Sequence, residues 1–206
     1  MASSARRLAI GKEGAAIDAR HACPTHRGFA MLEVLVTLLI LVLGLLGLLG
    51  VMTRATTAEL ESYQRVQAMI LMRDMFNRIE SNRAVASCYS NGAVGTQFGT
   101  GYAGTPSCAL GTAAQSAQAV ADMTAWNAAL LGSAETQAGN KVGAMIGARG
   151  CITQIDAANN IYMISVVWQG MTPTVAPSVA CGQAQYGASD ALRRALAVTL
   201  RIGILT

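Results

Sequence analysis

The chain of 206 residues has little charge, little histidine and little proline. Charged residues make up 13% of it, against roughly 25% for an average soluble domain. Its two histidines, His21 and His26, both precede Phe29. Beyond that point no Ser-His or Cys-His nucleophilic pair and no histidine metal site can be assembled. The carboxylates form no recognisable acid-base pair either: Glu59 with Glu61, and Asp74 with Glu80, read as a solvated helix face, so no catalytic residue is assigned. There is no C-x-x-C pair, which argues against zinc, and no cofactor is expected. Proline is missing from residues 29–82, so nothing there interrupts a helix.

Positive charge is present but one-sided. Before Phe29 there are five basic residues (Arg6, Arg7, Lys12, Arg20, Arg27) against Glu13 and Asp18; after it, ten basic residues face nine acidic ones. The basic character belongs to the first 28 residues, so nucleic-acid binding is not expected. Basic residues flanking an apolar span mark a cytoplasmic side and place the remainder across the membrane.

That span covers residues 29–52. As a helix it would reach roughly 36 Å, enough for a hydrocarbon core of about 30 Å with some tilt. An ordinary secretory signal has a shorter apolar core of about 7–15 residues and an A-x-A-like cleavage site. The stretch Gly50-Val51-Met52-Thr53-Arg54 offers none. A plain membrane anchor accounts for the hydropathy, but not for the Arg27-Gly28-Phe29 boundary or for Glu33. On its own, Glu33 could snorkel to the interface, being only about 6 Å along the axis from Phe29. Glycines 44, 47 and 50 form no strict G-x-x-x-G motif, and each softens the helix by about 1 kcal/mol relative to alanine.

Arg27-Gly28-Phe29 followed by Glu33 and an apolar run resembles the class III signal of type IV pilins and type II secretion pseudopilins. The resemblance implies a leader of residues 1–28, cut between Gly28 and Phe29 by a prepilin peptidase, and N-methylation of Phe29. The apolar helix 29–52 is then kept, with 53–83 as its amphipathic half and 84–206 as a globular head. Glu33 becomes an assembly carboxylate, pairing with the N-terminal amine of a neighbouring subunit. Losing one partner of such a buried pair costs about 3–5 kcal/mol. Ala30-Met31 departs from the commoner Thr-Leu, and the proline that many major pilins place near Gly50 is missing.

Beyond the membrane, Leu60, Tyr63, Val66, Ile70, Met72, Phe76 and Ile79 keep helical spacing. One helix over residues 29–82 would be roughly 80 Å long, with its second half on the head. Met69, Met72 and Met75 read as adaptable core. Residues 91–106 read as a loop. Within them Gly99-Thr-Gly101-Tyr-Ala-Gly104 matches G-x-G-x-x-G, with Asp122 downstream, but Pro106 follows in place of a helix and no βαβ pattern surrounds it. Asp122 reads instead as the N-cap of a short helix to Leu131 that buries Met123, Trp126 and Leu130.

Residues 150–155 and Ile161–Gln169 flank an Asp-Ala-Ala-Asn-Asn turn and form a hairpin; residues 192–204 form a third strand. Tyr162, Ile164, Val166 and Trp168 share one face. Packed on the long helix, these strands predict an α+β head of the pilin type. Pro173 and Pro177 mark a loop over 171–189. Loops 91–106 and 171–189 read as plain connections rather than adhesive surfaces.

With the leader and its Cys23 removed, Cys88, Cys108, Cys151 and Cys181 remain, a set with three possible connectivities. The expected bridges are Cys88–Cys108 and Cys151–Cys181, each contributing roughly 3 kcal/mol in the chain-entropy picture. Segments 149–152, 167–170, 194–200 and 122–126 resemble minor pilins. This implies a role in initiating pilus assembly, with twitching motility and adhesion, and with other minor pilins, the major pilin, the peptidase/methylase and the inner membrane as partners. A minor pseudopilin and a simply anchored periplasmic binding module are the alternatives.

Overall fold

The structure, a computed structural model, describes residues 29–133, 136–141 and 145–203; Gly28 and the leader expectations lie outside these. Two compact units are distinguished, Met1–Gly50 and Val51–Thr206. Helix α1 spans Phe29–Ser81, 53 residues, one residue short of the expected end. In the first unit, residues 31–50 of α1 are exposed throughout.

In the second unit, α1 buries Ala68, Met75 and Ile79, and Leu71, Met72 and Phe76 are half-buried against the same core. Met69 is exposed, so of the three methionines expected in the core only Met75 is fully inside. A 3-10 segment, Arg83–Tyr89, buries Val85, Ala86 and Tyr89. Strand β1, Thr96–Gly99, follows and corrects the expectation of a structureless loop over 91–106. Its four residues carry no apolar alternation; pairing with a neighbouring strand makes them extended.

Helix α2, Ala113–Leu130, starts well before Asp122. The Thr112 hydroxyl accepts from the Gln115 N–H, and the Gln115 side chain accepts from the Thr112 N–H, a reciprocal capping box. Asp122 is therefore an interior residue of α2, not its cap. Met123, Trp126 and Leu130 are buried as expected. After a small hairpin, β2 (Thr136–Gln137) and β3 (Asn140–Lys141), come β4 (Arg149–Asp156), β5 (Ile161–Gln169) and β6 (Arg193–Arg201).

The sheet is antiparallel in the order β1-β4-β5-β6, so the head has α+β architecture with four strands rather than three. The rows Phe98/Gly150/Val166/Leu196 and Thr96/Ile152/Ile164/Val198 face the helices. The rows Gln97/Cys151/Ser165/Ala197 and Gly99/Arg149/Val167/Ala195 face the other way. There Cys151 and Val167 form a second small core with Cys181, Tyr186 and half-buried Val179. Strand β5 is thus buried on both faces, and residues 171–189 are part of the packing rather than a simple link.

Trp126 holds α2 in place. Its indole N–H donates to the Leu71 carbonyl of α1 at 2.8 Å, and its ring lies edge-on to Phe98 and over Gly150. A Cβ at Gly150 would collide with the Trp126 ring and approach Leu130 to 2.8 Å. Gly150→Ala is expected to lower stability by about 1–3 kcal/mol through overpacking. Denaturant unfolding of the full chain in detergent micelles measures this, and an unchanged midpoint would contradict the close α2–β4 approach.

Candidate functional site

Glu33 is the only charged residue between Phe29 and Met52. It sits one turn into α1, is exposed, and makes no hydrogen bond or ion pair among the described residues. Around it the apolar side chains are exposed: Met31 is 78% exposed, Leu35 68% and Leu48 63%. Monomeric soluble proteins rarely expose contiguous apolar patches beyond about 300–600 Å², and this surface extends along six turns of helix. Among the described residues, α1 alone is long and apolar enough to cross a membrane. Thr37 is already satisfied, donating to the Val34 carbonyl at 2.9 Å. A Cβ added at Gly44, Gly47 or Gly50 would meet nothing within 4 Å, so no contact inside this chain requires those glycines. By length and composition the segment could serve as a membrane anchor, and a carboxylate buried in such a setting is costly unless it is paired or reaches the interface.

Polar groups farther along α1 serve the head. The Glu61 carboxylate accepts from the Met171 N–H at 2.9 Å, the Thr172 N–H at 3.2 Å and the Thr172 hydroxyl at 3.1 Å. The Arg194 guanidinium pairs with it at 3.2 Å and also donates to the Thr172 carbonyl at 2.6 Å. Three turns on, Asp74 and the buried Asp122 both accept from Arg78 at 2.9 Å. Asp122 accepts further from the Tyr89 hydroxyl at 2.6 Å and from Gln118. Glu61 is therefore not merely a solvated residue, because it ties α1 to the loop beside it, whereas Asp74 pairs within the helix, four residues before Arg78. The spacing gives no hint of the Glu61 contacts, whose partners lie far along the sequence.

The structure joins Cys88 to Cys108 and Cys151 to Cys181. The second bridge fastens residues 171–189 to β4. Arg193 completes that fastening: its guanidinium donates to the carbonyls of Pro177, Val179 and Cys181 and pairs with Asp190 at 3.3 Å. The Tyr186 hydroxyl donates to the Gly147 carbonyl at 2.6 Å, beneath the Arg149 guanidinium. The glycine-rich stretch offers no phosphate cradle. Gly99 closes β1, and its N–H is taken by the Asn127 side chain at 2.7 Å. Among the described residues no group of histidine, cysteine, aspartate and glutamate could hold a metal ion.

In comparison with known proteins, residues 50–126 match the model of a family described as Type IV pilin Tt1218. No curated protein matches, nor does any solved structure. The matched stretch runs from the amphipathic part of α1 through the 3-10 segment and β1 to Trp126 in α2. It starts beyond Glu33, and over it the chain is similar to pilin-type structural subunits.

Burial pushes the Tyr89 phenol well above the ordinary tyrosine range, and its hydrogen bond to Asp122 adds to the shift; burial raises Tyr186 as well. A phenol whose pKa is raised on folding contributes stability that is fully present below the unfolded value of about 10. That stability is lost as pH rises through the folded value. Alkaline titration followed by tyrosinate absorbance is expected to show a late fraction that appears only as the head unfolds. Complete ionisation with native circular dichroism would contradict the burial of both hydroxyls.

Proposed function

We propose that the chain is a type IV pilin-like assembly subunit and, more closely, a minor pilin. Residues 1–28 serve as a class III leader on the cytoplasmic side of the inner membrane. A prepilin peptidase cuts between Gly28 and Phe29, Phe29 is N-methylated, and helix 29–52 remains as the anchor while the head lies in the periplasm. The observation that carries this reading is a single carboxylate, Glu33, with no partner among the described residues, just inside an exposed apolar helix that follows Arg27-Gly28-Phe29. The similarity over residues 50–126 supports it independently, since that stretch excludes the motif.

The chemistry follows from charge pairing. Cleavage before Phe29 creates a new amine at the start of an apolar helix. When such helices pack together, the amine of one and the Glu33 carboxylate of its neighbour can pair in a low-dielectric interior. Each charge is costly there without the other, so the pair sets the axial register of an incoming subunit. The head segments 149–152, 167–170, 194–200 and 122–126 resemble the minor pilin called PilV. We infer from this a subunit that starts pilus assembly with other minor pilins ahead of the major pilin, and that supports twitching motility and adhesion.

Intact-mass analysis of the membrane-extracted protein is expected to show a chain beginning at Phe29 with one added methyl group. An uncleaved Met1, or a cut elsewhere, would falsify the pilin reading. Glu33→Ala is expected to leave head unfolding unchanged while reducing incorporation into assemblies on the order of a hundredfold or more, from the roughly 3–5 kcal/mol lost when a buried pair loses one partner. A deletion strain with normal pili and twitching but failed protein secretion would assign the subunit to a type II secretion system instead.

A further inference from the structure

The two edges of the four-stranded sheet are treated differently. At one edge, β1 is only four residues long, and the outward N–H of Gly99 is capped by Asn127. At the other, β6 runs for nine residues with no strand beyond it.

The hydrogen bonds flanking the β5–β6 ladder fix which β6 groups point outward. The Ile202 N–H donates to the Asn160 carbonyl at 3.0 Å, and the Gly170 N–H donates to the Leu192 carbonyl at 2.7 Å. In the unbroken register between them, even-numbered β6 residues bond to β5, and Ala195, Ala197 and Thr199 turn their N–H and C=O groups away. Among the described residues nothing hydrogen-bonds to those three backbones. Ala197 and Thr199 are exposed, and the stretch 195–200 holds no proline and no charge. The devices that usually blunt a sheet edge are missing over that stretch.

Charge lies at both ends of the edge. The groove between α1 and the start of β6 is lined by Ser62, Arg65, Ala195 and Leu196, and Arg65 is exposed there. At the far end Arg201 is exposed and lies in the field of Asp156. Neither arginine forms an ion pair among the described residues. A second copy of β6 offers the arginines no carboxylate: antiparallel pairing about Ala197 would set each Arg201 against Arg193, which is buried and already paired with Asp190.

We propose that the β6 edge receives an extended segment of another protein by strand addition, and that this segment has a β-forming, uncharged middle and acidic residues at its ends. Backbone hydrogen bonds to Ala195, Ala197 and Thr199 supply the pairing, and Arg65 and Arg201 select the acidic ends. The proposal stands on the head alone and does not require the cleavage or assembly described above.

The test uses the purified full chain in detergent micelles. The probes are a short synthetic peptide of alternating threonine and valine closed by aspartate at both ends, and the same peptide closed by lysine. At saturating aspartate peptide, amide exchange at Ala195 and Thr199 is expected to slow on the order of tenfold, the protection given by about one net hydrogen bond. Ala197→Pro removes only an outward donor and is expected to abolish this protection while retaining native circular dichroism. Arg65→Glu with Arg201→Glu, both exposed side-chain changes, is expected to remove the protection by the aspartate peptide and carries the same comparison should the proline variant fail to fold. The proposal is overturned by absence of protection, by equal protection in the variants, or by equal protection from the lysine peptide. Protection that grows with protein concentration without peptide would overturn it in favour of a second copy.

Discussion

A helix that exposes an apolar surface along six turns must be covered by something outside its own chain. Each large side chain left in water forgoes roughly 1.5–3 kcal/mol of burial, and residues 31–52 contain more than a dozen of them. Any account of function has to begin with what covers residues 31–52, and the single charge among them, Glu33, makes a bare hydrocarbon cover costly unless the carboxylate is paired or reaches the interface.

The head meets a different requirement. A sheet of four strands packed on one side by α1 and α2 would leave β5 half in water. Residues 171–189 fold over the reverse face, and Cys151, Val167, Cys181 and Tyr186 make a second core there. This cover contains no regular secondary structure, so its backbone groups need partners from elsewhere. Arg193 supplies them, its planar guanidinium reaching three carbonyls of the cover. Arg149 and Tyr186 do the same at the Gly147 corner. A buried arginine satisfying loop carbonyls is a structural use of charge.

Much of this was legible because periodicity and turn chemistry report local structure. The hairpin around Asn159 and Asn160 and the shared face of Tyr162, Ile164, Val166 and Trp168 follow from spacing; the length of α1 follows from the absence of proline, but its packed face does not, since Leu60, Tyr63, Val66 and Ile70 are exposed. The true start of α2 was also present in the letters, as Thr112-Ala-Ala-Gln115. Asp122 carries a side chain equally able to cap, but Arg78 and Tyr89 consume it. Strand β1 had no such signal, because four residues made extended by pairing with β4 need no alternation of their own. The ties of Glu61 to Thr172 and Arg194 span more than a hundred positions, so no local pattern could disclose them. The role proposed for Gly28, Phe29 and Glu33 comes from the pattern of their neighbours and rests on chemistry beyond this chain.

The seam between α1 and the head repeats every seven residues as Glu61, Ala68, Met75 and Asn82. Its middle members are small or flexible and fully buried. Such contacts are tolerant: a helix displaced by one turn would find other apolar surface to cover. Its end members are not tolerant. Glu61 is held by Met171, Thr172 and Arg194, and Asn82 donates to the Gln115 carbonyl and the Tyr89 hydroxyl. Sliding α1 by a turn, about 5.4 Å, would separate both ends from these partners: the buried Asn82 amide would be left unpaired at about 1–3 kcal/mol, and the more exposed Glu61 would exchange its partners for water. The apolar middle of the seam therefore supplies adhesion, while its polar ends supply the axial and rotational register. This division fixes residues 51–81 against the sheet with one alignment among the several that hydrophobic burial alone would allow.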